Sequence, residues 1–244
     1  MDRAVSKALA ILEQVTGARA PVRLSDVAQS LGLQKSTVHR ILQSLVELGY
    51  VEQEPATGRY RPSLKVWEMG MGVIAEHPVK RAAASFLQEL HRSTRETVSL
   101  TVLAGDDVLY LDKIVAPRPV RFTTRPGSRV AAPLTAGGQA ILAHTPDAEA
   151  IVRRVAQKLL NTRDFDEAAF LEELQRVRER GYALSSGNPG VMSVAAAIMG
   201  RDGVAAGALS VSAPTARLDD AKQAEIVEAV LHACASMAET VGQI

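Results

Sequence analysis

Residues 32–50, GLQKSTVHRILQSLVELGY, decide the fold of the N-terminal part of this 244-residue chain. Apolar side chains recur there at the spacing of one helix face: Val38, Ile41, Leu42, Leu45 and Leu48. At roughly 100° per residue, the opposite face is polar and carries Ser36, Arg40, Gln43 and Glu47. Gly49 stands where glycine commonly ends a helix. The stretch therefore predicts a short amphipathic helix with a polar outer surface.

The segments around this helix complete a known DNA-binding unit. Residues 24–31 predict a preceding short helix with Ser25 as its N-cap, and Gly32 lies in the turn between the two helices. Residues 50–53 and 59–61 predict two strands around a Pro/Gly turn, which form a wing. A further helix from Ser6 to about Val15 presents Leu9, Ile11, Leu12 and Val15 to the core. Residues 1–62 thus predict a mostly α winged helix-turn-helix domain.

The polar face suits DNA. Arg40 can contact phosphate or pair with a guanine edge, and Gln43 can pair with adenine in the major groove. Hydroxyls and N–H groups at a helix start suit phosphate oxygens. The predicted DNA-binding residues are Lys35, Ser36, Thr37, His39, Arg40, Gln43, Arg59 and Arg61. The alternative is an ordinary solvated helix face.

Composition indicates a soluble protein of two domains. The chain is 47% hydrophobic and has a formal net charge of +1, so any nucleic-acid contact must rest on local charge. Its single cysteine, Cys234, excludes a disulfide framework and indicates a reducing compartment. Because no signal peptide or long apolar run is present, we expect a cytoplasmic protein without membrane contact.

The remaining chain predicts a linker and a second domain. Residues 63–77 predict a linker helix whose apolar stripe includes Trp67, and this stripe either forms a dimer contact or packs on its own wing. Residues 78–244 predict an α+β domain with an antiparallel sheet flanked by helices. Its third strand is expected at Val120–Thr124.

Nothing in this second domain predicts catalysis. The five histidines of the whole chain are scattered without metal-ligand spacing, and no hydrolase, phosphate-loop or dinucleotide motif is present. The chain is therefore predicted to be neither an enzyme nor a cofactor-binding protein.

A ligand pocket is favoured instead. Ala136 and Gly137 would open a helix and offer backbone N–H groups to an anion. Ser210 and Ser212 alternate along one strand, so their hydroxyls point the same way, and Ser193 lies on the neighbouring strand. The alternative is that these serines only bond the backbone.

The chain as a whole resembles the IclR family of bacterial transcriptional regulators. In the N-terminal part the resemblance rests on Lys35-Ser36-Thr37-Val38-His39-Arg40-Ile41-Leu42 and Gly49-Tyr50-Val51. Further along it rests on Arg125-Pro126-Gly127-Ser128, Gly138-Gln139-Ala140-Ile141-Leu142-Ala143 and Gly207-Ala208-Leu209-Ser210-Val211-Ser212.

The resemblance implies a GAF-like effector domain and a set of effector contacts. Polar contacts would fall on the backbone of Ala136 and Gly137 and on Ser185, Ser193, Ser210 and Ser212. The apolar wall would consist of Phe122, Val130 and Val191. Many relatives carry an acid where this chain has Ser185 and Ser186, so we expect a neutral, hydroxyl-rich pocket here.

The predicted function is an effector-responsive transcriptional regulator, a repressor of a metabolic operon. Its partners would be double-stranded DNA with a palindromic operator, a small organic acid, aromatic acids included, and its own copies as a homodimer or dimer of dimers. The alternatives are an activator of a catabolic operon, a constitutive DNA-binding dimer without effector, and an enzyme with an appended DNA-binding domain.

Overall fold

The computed structural model describes residues 3–118, 124–159 and 165–241. The chain forms two compact units, residues 1–75 and 76–244. Among the described residues, no helix is both long and apolar enough to cross a membrane.

The first unit is a helical domain with a two-stranded wing. Its elements are α1 (Arg3–Gly17), α2 (Leu24–Leu31), α3 (Lys35–Glu47), β1 (Val51–Gln53), β2 (Tyr60–Pro62) and α4 (Leu64–Ala75). Strands β1 and β2 pair antiparallel. The side chains of Ile11, Val38 and Leu42 are fully buried and hold α1 against α3. The predicted winged helix-turn-helix is confirmed.

Gly49 ends α3 as predicted. It adopts a φ of 77°, in the left-handed region that other residues enter only at a cost. Its N–H bonds the carbonyl of Val46, and the next N–H, from Tyr50, reaches back to the carbonyl of Leu45. These two bonds satisfy orphan carbonyls of the last turn and direct the chain into β1.

Three expectations for this unit are wrong. Ser25 is not the N-cap of α2, because the helix begins at Leu24; Arg23 holds the cap position, and the Ser25 hydroxyl bonds Asp26. The Leu9 side chain is 54% exposed, since residues two apart on a helix diverge by about 200° and Ile11 takes the core side. Leu48 is 59% exposed because it follows the last turn of α3.

Helix α4 buries no residue in its own unit. Trp67 is 63% exposed and Leu64 is 74% exposed. Packing of this stripe on the wing is therefore not observed, and its use as a dimer contact stays a prediction. Lys65 fixes the start of α4, since its ammonium group donates to the carbonyl of Leu48 and lies 4.5 Å from the centre of the Tyr50 ring.

The second unit is α+β, as predicted. Its helices are α5 (Pro78–Thr94), α6 (Ala136–Leu142), α7 (Ala148–Leu159), α8 (Glu167–Arg180) and α9 (Asp220–Val241). Its strands are β3 (Thr97–Ala104), β4 (Asp107–Ile114), β5 (Arg129–Ala131), β6 (Ala183–Asn188), β7 (Val191–Met199) and β8 (Ala205–Pro214). Short 3-10 turns cover Ala132–Leu134 and Thr215–Arg217. All pairings in the sheet are antiparallel, in the order β5-β4-β3-β8-β7-β6.

Strand β5 was not predicted, because three residues are too few to show an alternating pattern. The strand expected at Val120–Thr124 falls largely on residues 119–123, outside the described residues.

The two faces of the sheet have different partners. Successive side chains of a strand point to opposite faces. On one face α6 packs over β7 and β8, with α7 and α8 behind it, and Ala195 and Ala208 belong to that core. On the other face α5 and α9 pack over the sheet, and the Cys234 thiol donates to the carbonyl of Ala196. The serines of β7 and β8 that share a face with Ala195 and Ala208 thus lie under α6.

An ion-pair cluster fastens the β3–β4 hairpin to α7. The Asp106 carboxylate bonds Arg154 at 2.9 Å and Lys158 at 2.8 Å, while its carbonyl accepts the N–H of Ala132. Hydrogen bonds from Arg154 and then Lys158 lower the pKa of the Asp106 carboxyl from its ordinary value.

We expect Asp106→Asn to destabilise the protein by up to about 1 kcal/mol at neutral pH, because exposed ion pairs contribute little. A carboxylate with a lowered folded pKa stabilises above its unfolded pKa and loses that contribution as pH falls through the folded value. The difference between variant and wild type in urea unfolding should therefore shrink as pH falls below about 4. A difference that stays constant down to pH 2 would contradict this account.

Candidate nucleic-acid interface and ligand pocket

The polar face of α3 is open to solvent. Lys35, Ser36, His39 and Arg40 are exposed, and Thr37 and Gln43 are half-buried beside the buried stripe. Within the described part of the chain, the side chains of Lys35, Arg40 and Gln43 make no hydrogen bond or ion pair, and the Ser44 hydroxyl donates only to the backbone carbonyl of Arg40. The hydroxyl and N–H groups of the first turn lie at the same end as Lys35. This face can therefore meet phosphates and base edges without first breaking internal contacts.

The wing contributes less free charge than its sequence suggests. The Arg61 guanidinium pairs with Glu52 across the strands at 2.8 Å, with both side chains about half exposed. Arg59 is half-buried next to the turn. Because an exposed pair of this kind is worth about 1 kcal/mol or less, a DNA phosphate can still replace Glu52 as the partner of Arg61.

A small, partly open pocket lies between α6 and the sheet in the second unit. Its free volume is about 20 Å³, on the order of one water molecule. The pocket is lined by Thr101, Tyr110, Leu134, Thr135, Ala136, Gly137, Ser185, Val191, Ser193, Ser210 and Ser212. Seven of the nine predicted effector residues are in that set. Side chains and backbone far apart in sequence thus meet at one place.

Two predicted residues are not part of this lining. Val130 lies on β5 opposite Val108 and packs against the core cluster under α6 and α7, outside this lining, and its place in the wall of a ligand-bound pocket stays a prediction. The side chain is directed by its pairing with Val108, which is fully buried. Phe122 falls outside the described residues.

Four lining residues were missed from sequence. Thr101 and Tyr110 face each other because a bulge after Leu100 shifts the pairing of β3 with β4. Burial raises the pKa of the Tyr110 phenol, so this group stays neutral. Leu134 and Thr135 enter through the turn before α6. The serines of the strands indicated where the pocket lies, but the bulge after Leu100 cannot be recognised from a single sequence.

The start of α6 forms the roof of the pocket. The Thr135 hydroxyl caps the helix by accepting the N–H of Gly138 at 2.9 Å. The N–H groups of Ala136 and Gly137 have no acceptor within the helix, as at any helix start. A Cβ on Gly137 would lie 2.6 Å from the Thr101 hydroxyl oxygen, so the glycine allows the roof to approach the sheet.

The pocket presents hydroxyl and backbone groups, and its lining contains no charged side chain. Over residues 3–118, 124–159 and 165–241, no group of three or more His, Cys, Asp or Glu is placed to hold a metal ion. Burial raises the pKa of the Cys234 thiol to about 12, which keeps it protonated and a poor nucleophile.

Comparison with known proteins agrees with this arrangement. Residues 4–55 match the IclR helix-turn-helix domain, and residues 71–239 match the C-terminal domain of bacterial IclR transcriptional regulators. The glycerol operon regulatory protein of Streptomyces griseus is 35% identical, with 98% of this chain and 96% of that protein aligned.

Solved structures give the same result. An IclR transcriptional regulator from Silicibacter sp. TM1040 is 30% identical and superposes with a TM-score of 0.81 over 98% of this chain and 96% of that one. An IclR homolog from Microbacterium hydrocarbonoxydans, solved with 4-hydroxybenzoate, is 21% identical with a TM-score of 0.82 over 99% of this chain and all of that one. The latter shows the shared fold.

The two family matches together cover most of the chain, in the order that the two units require. The family consists of DNA-binding transcriptional regulators and not of enzymes. This chain belongs to the IclR family of bacterial transcriptional regulators.

Proposed function

We propose that this regulator represses a metabolic operon and that a small organic acid bound between α6 and the sheet controls its binding to DNA. The observation that carries the proposal is the pocket itself, where backbone N–H groups and seven side-chain hydroxyls converge. In support, one IclR homolog was solved with 4-hydroxybenzoate, a small organic acid. The exposed, unpaired face of α3 supplies the contacts to DNA.

The proposed target is a palindromic operator bound by a homodimer or by a dimer of dimers. With a net charge of +1, long-range attraction to DNA is weak, so two recognition helices acting together would supply the affinity that one lacks. The exposed apolar side chains of α4, including Trp67, are the proposed contact between copies. Accordingly we assign residues 1–62 to DNA binding, 63–77 to the linker and 78–244 to effector binding.

Effector binding must change the pocket. A free volume of about 20 Å³ is smaller than any organic acid, so a bound ligand has to move α6 or the lining side chains. A ligand shifts an equilibrium only by its difference in affinity for the two states. The narrow pocket described above and a pocket expanded by ligand would be two such states within the C-terminal unit.

We expect Ser210→Ala to weaken the effector response about 5- to 30-fold, because one hydrogen bond to a bound ligand contributes about 1–2 kcal/mol. Binding to operator DNA without effector should stay unchanged. The measurement is the effector concentration at which half of the bound operator DNA is released in a mobility-shift titration. Loss of DNA binding in the absence of ligand would instead assign Ser210 a folding role.

A constitutive DNA-binding dimer makes the opposite prediction. If the C-terminal unit only joins copies, no metabolite should raise the melting temperature, whereas a bound effector raises it by mass action. Repressor and activator differ in where the operator lies relative to the promoter, so a reporter assay with and without the gene for this protein decides the sign.

A further inference from the structure

The floor of the pocket is a continuous patch of hydroxyl groups that comes from five adjacent strands. We call it the hydroxyl floor, and it consists of Tyr110, Thr101, Ser210, Ser212, Ser193 and Ser185, in the order of strands β4, β3, β8, β7 and β6. Ser185, Ser193 and Ser212 lie directly opposite one another in consecutive pairings. Because paired residues point to the same face, all three hydroxyls are directed into the pocket.

These hydroxyls are poised to bond a polar ligand. Ser193 and Ser212 share one hydrogen bond of 2.8 Å between their oxygens, which uses one of their two hydrogens. The other hydrogen and the remaining lone pairs can serve a ligand, because a hydroxyl both donates and accepts. Ser210 and Ser212 are only 6% and 4% exposed, so water reaches them poorly. A ligand that covered them without bonding them would leave buried polar groups unpaired.

The apolar part of the lining is small. Leu134 and Val191 are the two large aliphatic side chains in it, and Tyr110 supplies the single ring. Pockets for flat or greasy ligands are lined mainly by apolar and aromatic side chains. The balance here is reversed, with seven hydroxyl-bearing residues among eleven.

We propose that the effector is a short aliphatic molecule bearing several hydroxyl groups, such as a hydroxylated aliphatic acid or the related polyol, and not an aromatic or unsubstituted acid. This inference rests on the proposed function and names the ligand class of the same pocket. The hydroxyl floor bonds the hydroxyl groups of the ligand.

The test is calorimetric titration of the full chain with carbon-matched probes. Glycerate is compared with propionate, and gluconate with hexanoate, so each pair differs only in hydroxyl groups. Glycerol tests the neutral polyol, and benzoate and 4-hydroxybenzoate test aromatic acids. We expect at least one hydroxylated probe to bind at least about tenfold more tightly than its unsubstituted partner, because sites that bond a hydroxyl reject analogues without it. Tight binding of glycerol alone would assign the polyol; tight binding of glycerate or gluconate would assign the acid.

Two results overturn the inference. The first is that benzoate, 4-hydroxybenzoate or hexanoate binds at least as tightly as glycerate, gluconate and glycerol all do. This result would leave effector control itself intact. The other is no binding by any hydroxylated probe. The proposed function fails separately, only if a broad metabolite set leaves both the melting temperature and operator binding unchanged.

Serine variants connect the selectivity to the floor. Ser193→Ala should weaken binding of the hydroxylated probe at least about fivefold, and Ser193→Thr, which keeps the hydroxyl, should retain more of it. Ser99→Ala is the matched control, since Ser99 is buried on the same sheet face opposite Ser210 but outside the pocket lining. If Ser193→Ala and Ser99→Ala weakened binding of the hydroxylated probe equally, the hydroxyl floor would not explain the selectivity.

Discussion

Replacing Gly138 by alanine is expected to destabilise the C-terminal unit by about 3 kcal/mol or more. A Cβ at this position would lie 2.0 Å from the backbone oxygen of Ala132, well inside van der Waals contact. A backbone atom cannot turn aside as a side chain can, so α6 and the turn before it must separate. Overpacking of this kind costs about 1–3 kcal/mol in ordinary cores and more where relaxation is blocked.

The two units make this effect measurable by separate signals. The only tryptophan, Trp67, lies on α4 within residues 1–75, and its fluorescence reports the environment of that helix. Far-ultraviolet circular dichroism reports both. We expect Gly138→Ala to lower the melting temperature of the C-terminal transition by roughly 6–12 °C while the fluorescence transition stays in place.

Two glycine variants control for the loss of backbone flexibility itself. Gly70 lies in α4 with open space around its Cβ position, so Gly70→Ala should be neutral or slightly stabilising. Gly137→Ala would meet only the Thr101 side chain and should cost less than Gly138→Ala, with part of the loss recovered by Thr101→Ala. If Gly138→Ala were as harmless as Gly70→Ala, the close packing of α6 on Ala132 would be wrong.

Arg40→Ala is expected to weaken operator binding by about 10- to 100-fold for each recognition helix that contacts DNA. Arg40 is exposed in the middle of the polar face of α3, and within the described residues its guanidinium group makes no hydrogen bond or ion pair. A bidentate contact from arginine to guanine contributes about 1–3 kcal/mol of discrimination. The measurement is a mobility-shift titration on a duplex that the wild-type protein selects from a random library.

The charge-matched control is Arg201→Ala, in the exposed turn between β7 and β8. It removes the same charge from the effector unit and should leave affinity for the duplex unchanged. A contact to a base would relax sequence preference at one position, whereas a contact to phosphate would lower affinity evenly and reduce the salt dependence. Unchanged affinity in Arg40→Ala would show that α3 is not the recognition helix.

Local sequence was sufficient for most of the secondary structure. The 3.6-residue period of Val38, Leu42 and Leu45 and the glycine at position 49 are properties of neighbouring residues, and α3 ends where they predict. The same local reasoning failed for Leu9, because a single helix does not show which of two apolar directions meets the core. It failed for Ser25, because α2 begins at Leu24, directly after Arg23 with its extended backbone, and the sequence pattern does not show where the backbone changes from extended to helical.

The pocket was predictable in part. The period of two along β8 places the hydroxyls of Ser210 and Ser212 on one face whatever they pack against. Which strand lies beside β8, and in what register, is a long-range choice that places Ser193 opposite Ser212 and Ser185 opposite Ser193. The sequence pattern already placed Ser193 on a neighbouring strand, and the family resemblance added Ser185 and Val130; Val130 lies outside the pocket lining, and its contact with a ligand stays a prediction.

The sequence by itself thus determined the helix-turn-helix, the wing and the alternating serines, because each depends on residues that are close together in the sequence. Only the tertiary structure decided that the Tyr110 hydroxyl joins the floor, since a bulge between Leu100 and Thr101 sets the register of two strands. It also decided how closely α6 approaches the sheet. Gly137 and Gly138 allow a close approach because they have no Cβ, but they do not by themselves determine the distance. Packing between segments distant in sequence fixes that distance, and with it the volume left for a ligand.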